Sequence, residues 1–312
     1  SDRVFNSTER ALLAEQLIWH VANPTENQQG YNPTCQVTAI RGKLLYDHPA
    51  AFARVMTDVI TTGEYKTADG SIIKPPTASL RPSKNSDEEK FPGHASARTW
   101  LGKISDVTLV NTHWQRSTVT PGGLAVEKGK LIYQPDPSHI QKDAKGNALK
   151  GDTGERVFQI GSNGLWYPQN DSGGALLKAP GLYSANIANV YKQIVGGKAE
   201  TVISAAQRKE ITAGPGVAIL QNEDQLHKQL MDGGIKIAQI WTGEDWVRKE
   251  PNRKHDIKAP ETEDGEHVVL VKDYDPKTKT CAVDNSWGSK HDYLNGERRI
   301  TLHELYKAMA KQ

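Results

Sequence analysis

A thiol, an imidazole and a carboxamide occur in this chain as Cys35, His267 and Asn285, a set that can break an acyl bond. Cys35 ends the stretch Asn27–Cys35 and lies six residues after Gln29. Asn32 is a good N-cap and Pro33 suits a first helical position, so Cys35 is expected in the first turn of a helix. The run Gln36–Tyr46 carries Val37, Ile40, Leu44 and Leu45 at near-helical spacing, with Gly42 as its one breaker. A sulfur at that position faces unsatisfied backbone N–H groups, which favour thiolate over thiol and lower its pKa. The Gln29 side chain is then expected to donate to an oxyanion forming beside the sulfur. The competing reading is an ordinary buried cysteine in a core helix.

The other end of the chain supplies what a thiol nucleophile needs. Gly265–Val271 is a short β-rich run with His267 at its mouth, and Val283–Gly288 is a strand ending in Asn, Ser, Trp, Gly. His267 can take the thiol proton, Asn285 can accept the hydrogen bond from its other ring nitrogen, and Trp287 can shield that bond from water. A turn at Asp273–Lys279 would join the two strands and set His267 beside Asn285.

Gln29, Cys35, His267 and the run Asn285-Ser286-Trp287-Gly288 together resemble the papain-like cysteine peptidases. The resemblance matches Gln29 to the oxyanion donor, Cys35 to the nucleophile, His267 to the base and Asn285 to its orienting partner. It covers about a fifth of the chain. In papain the base follows the nucleophile by about 130–150 residues; here the separation is 232 residues, and Pro33-Thr34-Cys35-Gln36-Val37 replaces the family's local cysteine signature. The middle of the chain is more similar to calpain, at Leu165–Pro168, at Ala185–Lys192 with Gly196-Gly197, and at Leu226–Gly234 followed by Ile235–Ile240. No residue matches the calpain calcium positions, so calcium dependence does not carry over.

Which elements must position these groups? Ser7–Val21 reads as a helix with Leu12, Leu13, Leu17 and Ile18 on its apolar face, ended by Asn23-Pro24-Thr25. A further helix follows Asp47-His48-Pro49 and ends near Gly63. Lys66–Lys90 is polar and proline-rich and reads as a surface loop, either a tolerated insertion or an exosite, lid or processing site. Val107–Trp114 is strand-like, and Leu131–Gln134 with Arg156–Ile160 suggests a hairpin. Helices are expected at Tyr183–Ile194, Thr201–Thr212, Glu223–Met231 and Leu302–Met309, and strands at Ile235–Trp241, His267–Tyr274 and Thr280–Asn285. Gly243–Asp264 reads as a charged loop. Helices first and strands late suit an α+β protein. The resemblance refines this to two lobes of one catalytic domain: residues 1–197 with the cysteine helix and the insertion at 66–90, and an antiparallel β-rich lobe, residues 198–312, with His267 and Asn285. The active site is then the cleft between them.

Composition excludes several classes. The 312 residues are 37% hydrophobic and 24% charged, with a net charge of +2, too balanced to suggest nucleic acid or membrane as a partner. No apolar run approaches the roughly 20 residues of a spanning helix. The expectation is a soluble protein, with a signal or propeptide already removed as one open possibility. With Cys35 as nucleophile, Cys281 has no disulfide partner and reads as a buried, inert thiol.

Other signals in the chain lack support. Asn170-Asp171-Ser172-Gly173-Gly174 contains the DSGG of trypsin-like peptidases, but Asn170 stands where those have Gly, and His113 and His139 lack context. Asp143–Asn147 lacks the alternating acids of a calcium loop. The ten histidines show no metal-ligand spacing; His20, His227 and His303 read as surface or interface residues, and His291 as a residue that could line the cleft. Asp284 neighbours Asn285, but strand alternation sends it to the opposite face.

The resemblance implies a cofactor-independent cysteine peptidase that cuts peptide or isopeptide bonds through a thioester. Its partners would be a protein or peptide substrate and a protein inhibitor or propeptide. Two rivals stay open: transglutaminase- or deamidase-type acyl transfer at the same site, and a papain-like fold kept as a binding module.

Overall fold

The computed structural model describes residues 4–29, 34–82, 98–135, 155–169, 181–197, 202–208, 213–242, 266–286 and 299–310. The protein is α+β, as expected. Helix α1 (Ser7–Ala22) starts at Asn6, whose Oδ1 accepts from the Glu9 N–H at 2.9 Å while Glu9 accepts from the Asn6 N–H at 2.8 Å. This reciprocal capping starts the helix at Ser7, as the sequence reading expects, with Asn6 as its cap. Its buried side is Leu13, Gln16 and His20; Ile18 is 70% exposed, so the expected apolar face is rotated, and His20 is a core rather than a surface residue.

Helix α2 (Cys35–Asp47) is followed by α3 (Pro49–Thr62), which ends at Gly63 in the left-handed conformation. Of the stretch read as a loop at 66–90, residues 66–82 are described and contain regular structure. Strands β1 (Tyr65–Lys66) and β2 (Ile72–Ile73) pair antiparallel, a 3₁₀ turn follows at Thr77–Leu80, and Ile73 and Leu80 reach the core. Helix α4 (Trp100–Trp114) overturns the strand expected at Val107–Trp114. Thr99 caps it, accepting from the Gly102 N–H at 2.9 Å. The helix is buried on almost every side, so its apolar residues carry no 3.6-residue period and read like a central strand.

Strands β3 (Leu131–Pro135), β4 (Glu155–Ile160) and β5 (Trp166–Pro168) form an antiparallel sheet that contains the expected hairpin pairing. Helix α5 (Ser184–Val195) leads to β6 (Val202–Ala205), where a helix was expected at 201–212. Four buried residues, Val-Ile-Ser-Ala, fill an interior strand position between β7 and β8, where packing overrides helix propensity. Then come β7 (Val217–Leu220), α6 (Glu223–Met231), β8 (Lys236–Trp241), β9 (Glu266–Asp275), β10 (Thr280–Asn285), β11 (Ile300–Thr301) and α7 (Leu302–Ala310).

These later strands make one six-stranded sheet in the order β11-β10-β9-β8-β6-β7. It is mixed rather than antiparallel throughout: β6 runs parallel to both β7 and β8, while β9 is antiparallel to β8 and β10. Alternation gives the sheet two apolar faces. Val202, Ile237, Val268 and Leu270 join the core built with α1 to α5, whereas Ile203, Ala238, Val269, Val271 and Val283 join a second core with α6 and α7. Asp143–Asn147, the expected loop at 243–264, Trp287, His291, His139 and the Asn170–Gly174 run lie outside the described residues.

Candidate active site

The site is assembled where α2 begins and where β9 enters and β10 leaves the sheet. Helix α2 packs on β9. The approach is close enough that a Cβ at Gly42 would lie 2.8 Å from Leu270 Cδ1 and 2.7 Å from Asn27 Nδ2. Gly42, a weakness when the helix is read alone, is what lets the helix lie on the strand. Helix α2 is buried from Val37 to Leu45, including Thr38, Arg41 and Lys43, so its four expected apolar residues understate its burial.

Cys35 is the first residue of α2, and its N-cap is Thr34. Asn32 and Pro33, expected to start the helix, lie outside the described residues, and the helix begins after them. Thr34 makes no side-chain cap; its hydroxyl donates instead to Asp106 Oδ2 at 3.1 Å. Around the Cys35 sulfur the backbone N–H groups of Val268, Gln36 and Cys35 favour the anion, yet burial outweighs them and pushes the thiol up to about 12. This corrects the expected lowered pKa: the helix start provides donors but also removes water. A lone thiolate is therefore disfavoured, and the proton must pass to a neighbouring base for the sulfur to react.

Val268 immediately follows His267, so the contact to its N–H puts the sulfur within one residue of the His267 backbone. In the β9–β10 ladder Asn285 lies opposite Val269, which makes His267 its diagonal neighbour on the same face. The side chains meet there: His267 Nε2 and Asn285 Oδ1 are 2.8 Å apart, both buried. A carboxamide oxygen only accepts, so Nε2 carries the proton and Nδ1 is left as the basic nitrogen.

Gln29 is fixed by the residue after Asn285. Its N–H donates to the Ser286 carbonyl at 2.8 Å, and its Oε1 accepts from the Ser286 hydroxyl at 2.6 Å. Holding the oxygen turns the amide nitrogen, the donor an oxyanion needs, away from Ser286. Gln29, His267 and Asn285 are thus tied together at the open end of the β9–β10 pair, and the Cys35 sulfur reaches the same end of β9 through the Val268 N–H; Trp287 lies outside the described residues.

Asp284 turns the other way, as alternation requires. It accepts from the Tyr46 hydroxyl at 2.7 Å, Lys272 donates to that hydroxyl at 2.6 Å, and burial raises its pKa to about 6. Cys281 is fully buried in the second core, and its thiol faces the Ile300 carbonyl at 3.9 Å.

Sequence reasoning missed the charged frame behind the site. Arg41 is completely buried and donates to Asp106 Oδ1 at 2.8 Å, Gly102 O at 2.6 Å, Ser105 Oγ at 2.9 Å and Gln28 O at 2.8 Å, and through Nε to Asn27 Oδ1. Arg98 adds a second cation, 3.3 Å from Asp106. The available signal was an arginine on the stripe Val37, Arg41, Leu44, at the i, i+4, i+7 positions of a core-facing helix.

A cavity of about 400 Å³ bounded by Leu230, Gly234, Lys272 and Tyr274 lies toward the turn end of the β9–β10 hairpin and contributes nothing to this cluster. Among the described residues, no group of three or more His, Cys, Asp or Glu is placed to hold a metal ion, and no helix is long and apolar enough to cross a membrane. Comparison with protein-family models, curated proteins and solved structures finds no match to this chain.

Proposed function

We propose that this chain is a papain-like cysteine peptidase, with the cysteine helix in one lobe, the His267–Asn285 hairpin in the other, and peptide or isopeptide substrates bound between them. The carrying observation is the buried 2.8 Å His267–Asn285 pair one residue from the Val268 N–H that faces the Cys35 sulfur. As the sulfur bonds to the substrate carbonyl carbon, its proton passes to His267 Nδ1 and the carbonyl electron pair moves onto oxygen. Gln29 and the Cys35 N–H stabilise that oxyanion. Its collapse expels the amine, which takes the proton from His267, and leaves a thioester; water, deprotonated by His267, then releases the acid and restores the thiol. Asn285 holds the imidazole in the tautomer that keeps Nδ1 basic. The burial that raises the Cys35 pKa supports proton transfer within the pair over a free thiolate.

The test is the pH dependence of Cys35 alkylation by iodoacetamide in the native chain and in His267→Ala. The native thiol is expected to react near neutral pH. In the variant, reaction should rise only as the pH approaches the buried value of about 12. A native thiol as unreactive as the variant's sinks the assignment and leaves a binding module. If the thiol proves reactive, incubation with casein, with and without added amine, separates hydrolysis from acyl transfer.

A further inference from the structure

We infer that Arg41 is a positioning residue for the oxyanion donor, acting on Gln29 through the backbone of Gln28 and the side chain of Asn27; this rests on the peptidase reading above. Residues 27–29, the described part of the Gln29 loop, have no regular secondary structure of their own. Two devices hold it. Ser286 grips Gln29 itself, and Arg41 grips the two residues before it, at the Gln28 carbonyl and Asn27 Oδ1. Asn27 then donates to the Thr38 carbonyl at 2.7 Å, tying the loop to the first turns of α2.

Arg41 is anchored in turn by Asp106 and Gly102 of α4, and the same Asp106 accepts from Thr34, the residue before Cys35. One buried guanidinium thus references the loop and the nucleophile's helix to a common support. A planar fork with five donors suits this task; an ammonium in its place satisfies the charge of Asp106 but cannot reach the same set of acceptors. Asn27, Gly102, Ser105 and Asp106 are buried with Arg41 and Gln28 is half-buried, so losing the guanidinium leaves most of these acceptors away from water.

The test compares two small reagents on the full chain. Acylation of Cys35 by p-nitrophenyl acetate builds an oxyanion before p-nitrophenolate leaves. Alkylation by iodoacetamide displaces iodide directly and builds none. The ratio of the two rates therefore reads the oxyanion donor apart from the sulfur. Gln29→Ala should lower this ratio about 100-fold, and Arg41→Lys about 10-fold through misplacement of Gln29. In the Gln29→Ala background Arg41→Lys should lower it no further. Asn27→Ala, a milder cut in the same path, should act in the same direction with the same non-additivity, and decides the matter if Arg41→Lys fails to fold.

Arg41→Lys that slows both reactions equally, or lowers the ratio as much without Gln29 as with it, marks a purely structural residue and overturns the inference alone. A native chain that is not acylated at Cys35, or whose ratio ignores Gln29→Ala, overturns the peptidase reading and this inference with it.

Discussion

The two cysteines are buried alike, and burial pushes each thiol to about 12. Their surroundings differ in sign. Cys35 faces N–H donors at a helix start and beside His267, whereas Cys281 faces the carbonyl of Ile300 and apolar residues of the second core. Donors stabilise the charge of an ionised sulfur; an acceptor holds the proton in place. Depth alone therefore says little about a buried thiol. The same contrast extends to the layers around them. On the Cys35 side of the sheet α2 carries Arg41 and Lys43 into the interior, whereas Cys281 lies in an apolar cluster built with α6 and α7.

His267→Ala should erase the contrast. Acylation of Cys35 at pH 7 should fall by about three to four orders of magnitude, leaving both sulfurs inert, as read by mass spectrometry of the labelled chain. Asp106→Ala leaves Arg41 and Arg98 buried without their carboxylate and should destabilise the fold by about 3–5 kcal/mol in chemical denaturation. The Cys281 side should contribute nothing to that loss.

Asp284 tests whether charge on the Cys35 side of the sheet is a burden. Its folded pKa of about 6 exceeds the ordinary 3.8, so between those values the native state holds a proton that the unfolded chain has released. Stability should therefore fall as pH rises from about 4 to about 6, by on the order of 2 kcal/mol, and be level above. Asp284→Asn should flatten that segment of the denaturation profile; an unchanged slope assigns it to another group. The smallest effect belongs to Cys281→Ala, about 1 kcal/mol of stability with no change in the acylation rate of Cys35.

The hairpin that carries His267 and Asn285 was legible because its signals are local: period-two alternation, turn residues between the runs, and strand ends at Asn285. The start of the Cys35 helix was nearly so. What the sequence hid depends on burial from several sides. Helix α4 reads as a strand because no face of it meets water, and β6 reads as a helix because four residues are too few to set a period. Arg41 reads as an interruption of an apolar stripe until Asn27, Gln28 and Asp106, brought from elsewhere in the chain, show what it binds. The tie from Ser286 to Gln29 spans 257 residues and has no local trace at all.

The contact between α2 and β9 also sets a timetable. Cys35 leaves a ribosome 232 residues before His267, an interval of roughly 10–50 s at ordinary synthesis rates. For that time the sulfur lacks the His267 strand and the Gln29 loop lacks its Ser286 anchor, so the sulfur has the chemistry of any exposed thiol. Under the proposed peptidase function the nascent chain cannot attack its neighbours while it is being made, and activity arrives only when the last third of the polypeptide docks on the first.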